Sequence, residues 1–357
     1  MNSTGLRRGF TTGTCAQAAT KGACLILTQR KLIERVEVAT PLDVRLSISL
    51  VDQEIGDGFG KCAVIKDSGD DPDVTNGAKI YAQVKFIDAE GVVIKGGEGV
   101  GKVTKPGLAI GVGEWAINPT PRKMISSEAC KFLLEGKKGL EVVISVAKGK
   151  ELAARTFNPN LGITGGISII GTTGLVEPRS LDAYKASLAL QLDVLKALGY
   201  NKAVFVLGYV GEKFFNEQLK LNKELFIKIG DHIGFMLEEC AKRNIAEVLL
   251  IGHIGKLIKI TNGQFNTHCS FGDGRLQSIG RFARACNADK AVIEEILAQK
   301  TAEAAIPILR KVGLSGVFDL VAKDVVKNCE EFMNAKTRLN CILLSLNGEL
   351  LARTDEL

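Results

Sequence analysis

Four glycine-bearing segments follow short apolar runs in this chain, and glycine at a strand end lets a ligand approach bare backbone. They are Gly171-Thr172-Thr173-Gly174-Leu175-Val176-Glu177-Pro178, Gly208-Tyr209-Val210-Gly211-Glu212, Gly230-Asp231-His232 and Gly252-His253-Ile254-Gly255-Lys256. The first adds threonine hydroxyls beside free N–H groups, which suits a polar or anionic ligand. One such loop closes a turn; four after successive strands favour a nucleotide-like ligand. A strict GxGxxG is absent, and no acid directly ends the second run, where a dinucleotide fold places its ribose contact. An NAD-dependent dehydrogenase is therefore disfavoured.

Three further groups carry chemistry. Gly96-Gly97-Glu98-Gly99-Val100-Gly101-Lys102-Val103 nearly matches a Walker phosphate loop, but Val103 replaces the magnesium-binding hydroxyl and Pro106 opposes the helix that must follow. It reads either as a substrate loop, with Lys102 and Lys105 as carboxylate partners, or as a surface hairpin. Lys66-Asp67-Ser68-Gly69-Asp70-Asp71-Pro72-Asp73 crowds four carboxylates, and like charges so close need a partner. A metal, a cationic ligand or a solvated turn would each serve, although EF-hand spacing is not met. The histidines, His232, His253 and His268, show neither HxxxH nor Cys/His zinc spacing, so no protein-held metal is expected. His268 lies in Asn266-Thr267-His268-Cys269, near Asp273 and Arg275; it is a catalytic candidate, with a structural role the commoner alternative.

The elements that must position these groups differ between the two halves. In the second, strands are expected over residues 167–170, 203–207, 225–229, 248–251 and 341–346, with helices between most of them. The clearest helix, residues 181–198, carries Leu181, Tyr184, Leu188, Leu192, Leu195 and Leu198 on one face, with Ser180 at its start and Gly199 after its end. Alternating strands and helices predict a parallel, doubly wound sheet that binds ligands beyond its carboxyl ends. In the first half, Thr14 and Gln17 have capping-box spacing for a helix running to about residue 28. Alternation predicts strands at 42–51 and 78–86, and Ala89-Glu90-Gly91 reads as a hairpin connection into residues 92–94. A helix over 121–134, capped by Thr120, and a strand over 141–147 complete an α+β pattern.

At 357 residues the chain exceeds a single core, so two domains are expected: residues 1–150, α+β, and residues 151–357, α/β. The charge of +6, from 46 basic and 40 acidic residues, contains no run resembling a nucleic-acid arm or a polybasic membrane patch. Nine scattered cysteines without CxxC fit a reducing compartment. The opening MNSTGLRRGF lacks a signal-peptide core, and residues 161–176 are too short and glycine-rich to span a bilayer. The expectation is a cytoplasmic protein with no membrane or nucleic-acid partner.

Several blocks resemble the CbiD-type cobalt-precorrin-5B C1-methyltransferases of anaerobic cobalamin biosynthesis. They are Gly9-Phe10-Thr11-Thr12-Gly13-Thr14-Cys15-Ala16, KDSGDDPDVTNG at 66–77, GKVTKPGLAIGVGEWAINPTPRKMI at 101–125, TFNPNLGITGGISIIGTTGLVEP at 156–178, GHIGKLIK at 252–259 and Asn266-Thr267-His268. They keep their order over residues 9–275; Cys269 and Ser270 depart from the Ser and Arg expected there. The resemblance implies an S-adenosylmethionine donor, a cobalt-containing tetrapyrrole acceptor and a Rossmann-like second domain joined to the α+β first. Cobalt would arrive inside the substrate.

Placed by position and chemistry, the donor is expected on Gly171, Thr172, Thr173, Gly174, Glu177, Gly252 and His253, all on the second domain. The macrocycle is expected between the domains, its carboxylates met by Lys102, Lys105, Arg122, Lys123 and Arg179. Thr11 and Thr12 would line the first-domain wall with Asp70 and Asp71, or the two carboxylates would instead offset the sulfonium charge; His268 completes the catalytic set. A non-catalytic tetrapyrrole carrier and an NTPase are the alternatives, and homo-oligomerisation is left open.

Overall fold

The computed structural model describes residues 5–133, 138–268, 272, 274–334 and 336–354. Its contacts divide the chain into two compact units, Met1–Ala183 and Tyr184–Leu357. The boundary expected at 150 lies inside the first.

The first unit is built on a five-stranded sheet in the order Val51–Ile55, Phe59–Ile65, Lys79–Ile87, Gly139–Val146, Gly91–Gly96. A buried helix, Thr12–Gln29, packs on it through small residues: Cys15, Ala16, Ala19, Ala23 and Cys24 are wholly buried. Glycine on both surfaces permits the close approach. A Cβ at Gly22 would lie 2.4 Å from Leu50 Cδ1, and one at Gly60 only 2.2 Å from the Ala23 carbonyl oxygen. The Cys62 thiol donates to the Ala19 carbonyl oxygen across the same interface, at 3.1 Å. The helix begins earlier than its capping-box spacing predicts. Thr11, not Thr14, is the cap, its hydroxyl accepting from the Thr14 N–H; Gln17 instead sends its amide to Ala39 O and Glu128.

The expected hairpin at Ala89-Glu90-Gly91 does not form. Gly139–Val146 inserts between the two strands, antiparallel to Lys79–Ile87 (Val142 opposite Val84) and parallel to Gly91–Gly96 (Val142 opposite Ile94). Its inward residues Leu140, Val142 and Ile144 are wholly buried, so this strand takes the more protected position. The alternation at 42–51 likewise splits. Arg45–Ser49 pairs with Arg35–Ala39 through a turn that holds left-handed Asp43, while Val51–Ile55 joins the large sheet with left-handed Asp52 at its register shift. The second helix spans Pro119–Cys130, starting after Asn118 rather than Thr120; the expected end at Leu134 lies outside the described residues.

The second unit holds a sheet in the order Phe226–Lys228, Lys202–Val206, Glu247–His253, Arg338–Leu344, Leu350–Arg353, parallel except for the last strand. Residues 203–207 and 248–251 are buried throughout, as strands covered on both faces must be. Helices Gly208–Gln218 and Ile233–Lys242 connect the first three strands, and Arg275–Ala285, Lys290–Leu297, Ala305–Lys311 and Gly316–Phe332 precede the fourth. The helix Leu181–Ala197 begins as predicted, with Ser180 Oγ accepting from the Ala183 N–H at 3.2 Å. The run at 167–170 does not belong to this sheet. Gly166–Ile167 pairs with Gly99–Val100, and Ile169 bridges Ile117, all in the first unit. The first parallel strand is therefore Lys202–Val206. Numbered from it, the order is 2-1-3-4, so the connections reverse direction between the first and third strands.

Candidate active site

In the first unit the Gly171–Gly174 loop closes over the start of the long helix. Gly13 N–H donates to Ile170 O (2.9 Å), Thr11 N–H to Gly174 O (3.0 Å) and the Thr14 hydroxyl to Gly174 O (2.7 Å). Thr12 Oγ1 accepts from the Ile170 N–H at 2.8 Å. Gly171 has φ +134°, and a Cβ there would meet Thr11 Oγ1 at 2.2 Å. Thr11 and Thr12 are buried, and Thr173 bonds back to Leu175. Thr11, Thr12, Gly171 and Gly174 are thus held by one another. The loop does not follow a strand of the parallel sheet, contrary to what the sequence pattern predicts, because the segment before it pairs within the first unit. Thr172 is exposed, and Glu177 pairs with Arg8 at 2.6 Å.

The carboxylate cluster is internally partnered. Arg7 forms a fork to Asp67 at 2.6 and 2.8 Å, holding that carboxyl below its ordinary value. Asp70 accepts from the Arg7 N–H and Asp71 from the Arg179 N–H, each at 2.7 Å. Lys66, almost wholly buried, reaches Asp73 at 2.6 Å. Burial would raise the Asp73 pKa, but Lys66 and Thr75 outweigh it and keep the carboxyl low. Among the described residues no His, Cys, Asp and Glu group could hold a metal.

The glycines at 96–101 also serve packing: a Cβ at Gly96 would strike Trp115, and one at Gly97 Ser145 Oγ. Strand Lys102–Val103, not a helix, follows, so the Walker geometry is missing. Lys102 instead lies over the Trp115 ring, 4.4 Å from its centre. The two residues line a cleft of about 610 Å³ with Lys148, Lys150, Glu98 and Thr164. Sequence reasoning missed Lys148 and Lys150, which the fold brings to the same cleft as Lys102. Lys105 packs beside Gly162, Arg122 is half-buried and Lys123 exposed on the second helix, and Arg179 is exposed; none of them lines this cleft.

In the second unit, Gly208, Asp231, Gly252 and His253 lie at or just after the carboxyl ends of parallel strands. Gly208, at φ +68°, turns the first strand into its helix. A Cβ at Gly211 would meet Val206 Cγ1 at 2.9 Å and Ile251 O at 3.0 Å, so glycine lets the helix sit close to the sheet. Gly252, at the third strand's end, lies against Leu207 and Leu257. His253 Nδ1 accepts from the Gly255 N–H at 3.2 Å, capping the next turn. Burial first, then Lys256 and Arg275, lower its pKa to about 4, so the imidazole is neutral at physiological pH.

After the second strand comes Asp231. Its Oδ1 accepts from Lys256 Nζ (2.8 Å) and Thr267 Oγ1 (2.7 Å). Burial opposes ionisation, but those bonds outweigh it and hold the carboxyl below its ordinary value. Buried Lys259 donates to the carbonyl oxygens of Thr267 and His268, so Asp231 and Lys259 together anchor Asn266-Thr267-His268. His232 follows Asp231 and packs on Tyr184, ring centres 5.4 Å apart. The three histidines, scattered in sequence, thus come under the field of one carboxylate. His268 is exposed; Asp273, Cys269 and Ser270 lie outside the described residues. Asp70 and Asp71 belong to the first unit and His268 to the second.

The fold is that of a mixed α/β protein whose second unit carries a mostly parallel sheet. Family models described as "CbiD" and "CbiD, C-terminal domain" match residues 1–178 and 266–355. Cobalt-precorrin-5B C(1)-methyltransferase of Thermoanaerobacter sp. (strain X514) is 42% identical over 98% of this chain and 96% of its own. The protein of that name from Methanocaldococcus jannaschii is 41% identical over 96% and 95%. A crystal structure of a cobalamin biosynthesis protein (cbiD) from Archaeoglobus fulgidus, 30% identical, covers 79% of this chain and 85% of its own, with TM-score 0.39. The chain belongs to the CbiD family.

Proposed function

We propose that this chain is a cobalt-precorrin-5B C(1)-methyltransferase. It moves a methyl group from S-adenosylmethionine to ring carbon 1 of a cobalt-corrin precursor, giving cobalt-precorrin-6A in the anaerobic route to cobalamin. The observation carrying this reading is 42% identity, over 98% of the chain, to a relative of that name. The donor's S–CH3 bond breaks as the new C–CH3 bond forms, and S-adenosylhomocysteine departs as a neutral thioether. Such a displacement needs its reactants held in line, roughly 3–3.5 Å apart, more than it needs acid or base.

We read the second unit as Rossmann-like, with the donor at the sheet edge beside Gly252 and His253. A neutral His253 suits this position, since an imidazolium would repel a sulfonium. His268, on the loop anchored to Asp231, is the polar group proposed to border the reacting atoms. In the first unit the macrocycle's acetate and propionate groups would meet Lys102, with Lys148 and Lys150 in the same cleft. Trp115 offers a flat apolar face to the ring. Lys105, Arg122, Lys123 and Arg179 are proposed as outer carboxylate partners. Cobalt belongs to the substrate.

The test is anaerobic incubation of the purified chain with cobalt-precorrin-5B and methyl-labelled S-adenosylmethionine. Label in the tetrapyrrole, with S-adenosylhomocysteine formed in equal amount, is expected. Binding of both ligands without transfer would overturn the proposal in favour of a carrier.

A further inference from the structure

The 2-1-3-4 strand order changes which loops count as nucleoside-binding. With residues 167–170 in the first unit, the first strand-to-helix turn of the parallel sheet is Leu207-Gly208-Tyr209-Val210-Gly211. It has two features of a nucleoside-binding turn: a tight left-handed glycine at its start, and a glycine where helix and strand touch. In such units an acid after the second strand, about 20 residues beyond the turn, accepts from the ribose hydroxyls. The second strand here is Phe226–Lys228, and the acid after it is Asp231.

Asp231 has the geometry for that contact. Among the described residues, both hydrogen bonds to its side chain end on Oδ1, from Lys256 and Thr267. Oδ2 retains its acceptor capacity, and the side chain is 25% exposed. The carboxyl is held ionised and its Oδ1 fixed, so it meets a diol without first having to be ordered. Gly208, the first residue of the helix after the neighbouring strand, has open space where a Cβ would stand, so its backbone is accessible at that turn.

We propose that Asp231 Oδ2 accepts hydrogen bonds from the ribose hydroxyls of the methyl donor, with the nucleoside seated on the Gly208–Gly211 turn. The assignment rests on the methyltransferase reading and adds a residue to its donor site. It replaces the Gly171–Gly174 loop, whose backbone is engaged by the first helix.

The experiment is calorimetric titration of the full chain with S-adenosylhomocysteine and with its 2′,3′-dideoxyribose analogue, for wild type, Asp231→Asn and Thr267→Val. A hydrogen bond to a charged acceptor corresponds to roughly a tenfold to hundredfold change in affinity. Wild type should lose about that factor on the dideoxy analogue. Asp231→Asn should lose a similar factor on S-adenosylhomocysteine and almost none on the analogue. Thr267→Val, which frees the loop without touching the ribose, should weaken both ligands alike or neither. If Asp231→Asn also weakens both ligands equally, or leaves both unchanged, the ribose contact is overturned. Methyl transfer assayed on the same wild-type preparation separates the two readings. Turnover with equal losses sinks only the ribose contact, whereas neither turnover nor S-adenosylhomocysteine binding sinks the methyltransferase and this contact with it.

Discussion

The Thr14 hydroxyl donates to the Gly174 carbonyl oxygen at 2.7 Å, joining positions 160 residues apart in sequence at a wholly buried point. It fastens the first helix to the glycine loop that closes its N-terminus. Thr14→Val keeps the shape but leaves that carbonyl with only the Thr11 N–H. We expect a loss of about 1–2 kcal/mol in stability, read by urea denaturation, with S-adenosylhomocysteine affinity unchanged. A tenfold loss of donor affinity in a folded variant would return the loop to the donor site.

Lys66 and Asp73 form a nearly buried ion pair whose partners cannot be removed singly without penalty. Lys66→Met should destabilise the chain by about 3–5 kcal/mol, because Asp73 is left as an uncompensated charge. Lys66→Met with Asp73→Asn should recover a large part of that. A double variant no more stable than the single would show that the pair's charge is not what matters.

Lys102 sits over Trp115 and lines a cleft whose other lining cations are Lys148 and Lys150. Replacing Lys102 by Ala should raise KM for the tetrapyrrole about tenfold, as expected for one charge-assisted contact, and leave kcat within about twofold. Steady-state kinetics decide it. A collapse of kcat with KM unchanged would place Lys102 at the reacting atoms.

His253 makes stability depend on pH in a definite direction. Its folded pKa is about 4 against an ordinary 6.5. Between those values the unfolded chain binds the proton more readily, so stability is constant above about pH 6.5 and falls as pH drops toward 4. Allowing for partial exposure, the loss from this group is on the order of 2 kcal/mol. His253→Asn, which can still cap Gly255, should flatten the decline between pH 6.5 and 4 in thermal melts. An identical slope in the variant would assign the acid sensitivity elsewhere.

Gly60 tests the helix-on-sheet contact. A Cβ there would approach the Ala23 carbonyl oxygen to 2.2 Å, and backbone cannot yield as a side chain can. Gly60→Ala should therefore cost about 1–3 kcal/mol by overpacking. Unchanged stability would mean that the helix can shift outward at little cost.

Periodicity made the strands at 203–207, 225–229 and 248–251 and the helix at 181–198 legible, since burial and chain direction are local properties there. The motif blocks from Gly9 through Asn266-Thr267-His268 pointed to the family, which the full-length relatives establish. Which strand joins which sheet was not legible. Residues 167–170 have the apolar character of a parallel-sheet strand, yet Gly166–Ile167 pairs with Gly99–Val100, where glycines on both sides let two backbones touch, and Ile169 bridges Ile117.

That pairing changed the candidate site. It moved the threonine loop onto the first helix, made Gly208–Gly211 the first turn of the parallel sheet and put Asp231 after its second strand. Residue types and the spacing within one segment are written in the chain, and so the sequence alone determined the chemistry available and most of the elements that carry it. Partners across segments, such as Thr14 with Gly174, Lys66 with Asp73 and Asp231 with Thr267, depend on which backbones can approach closely. Only the tertiary structure decided those, because close approach is a property of two packed surfaces.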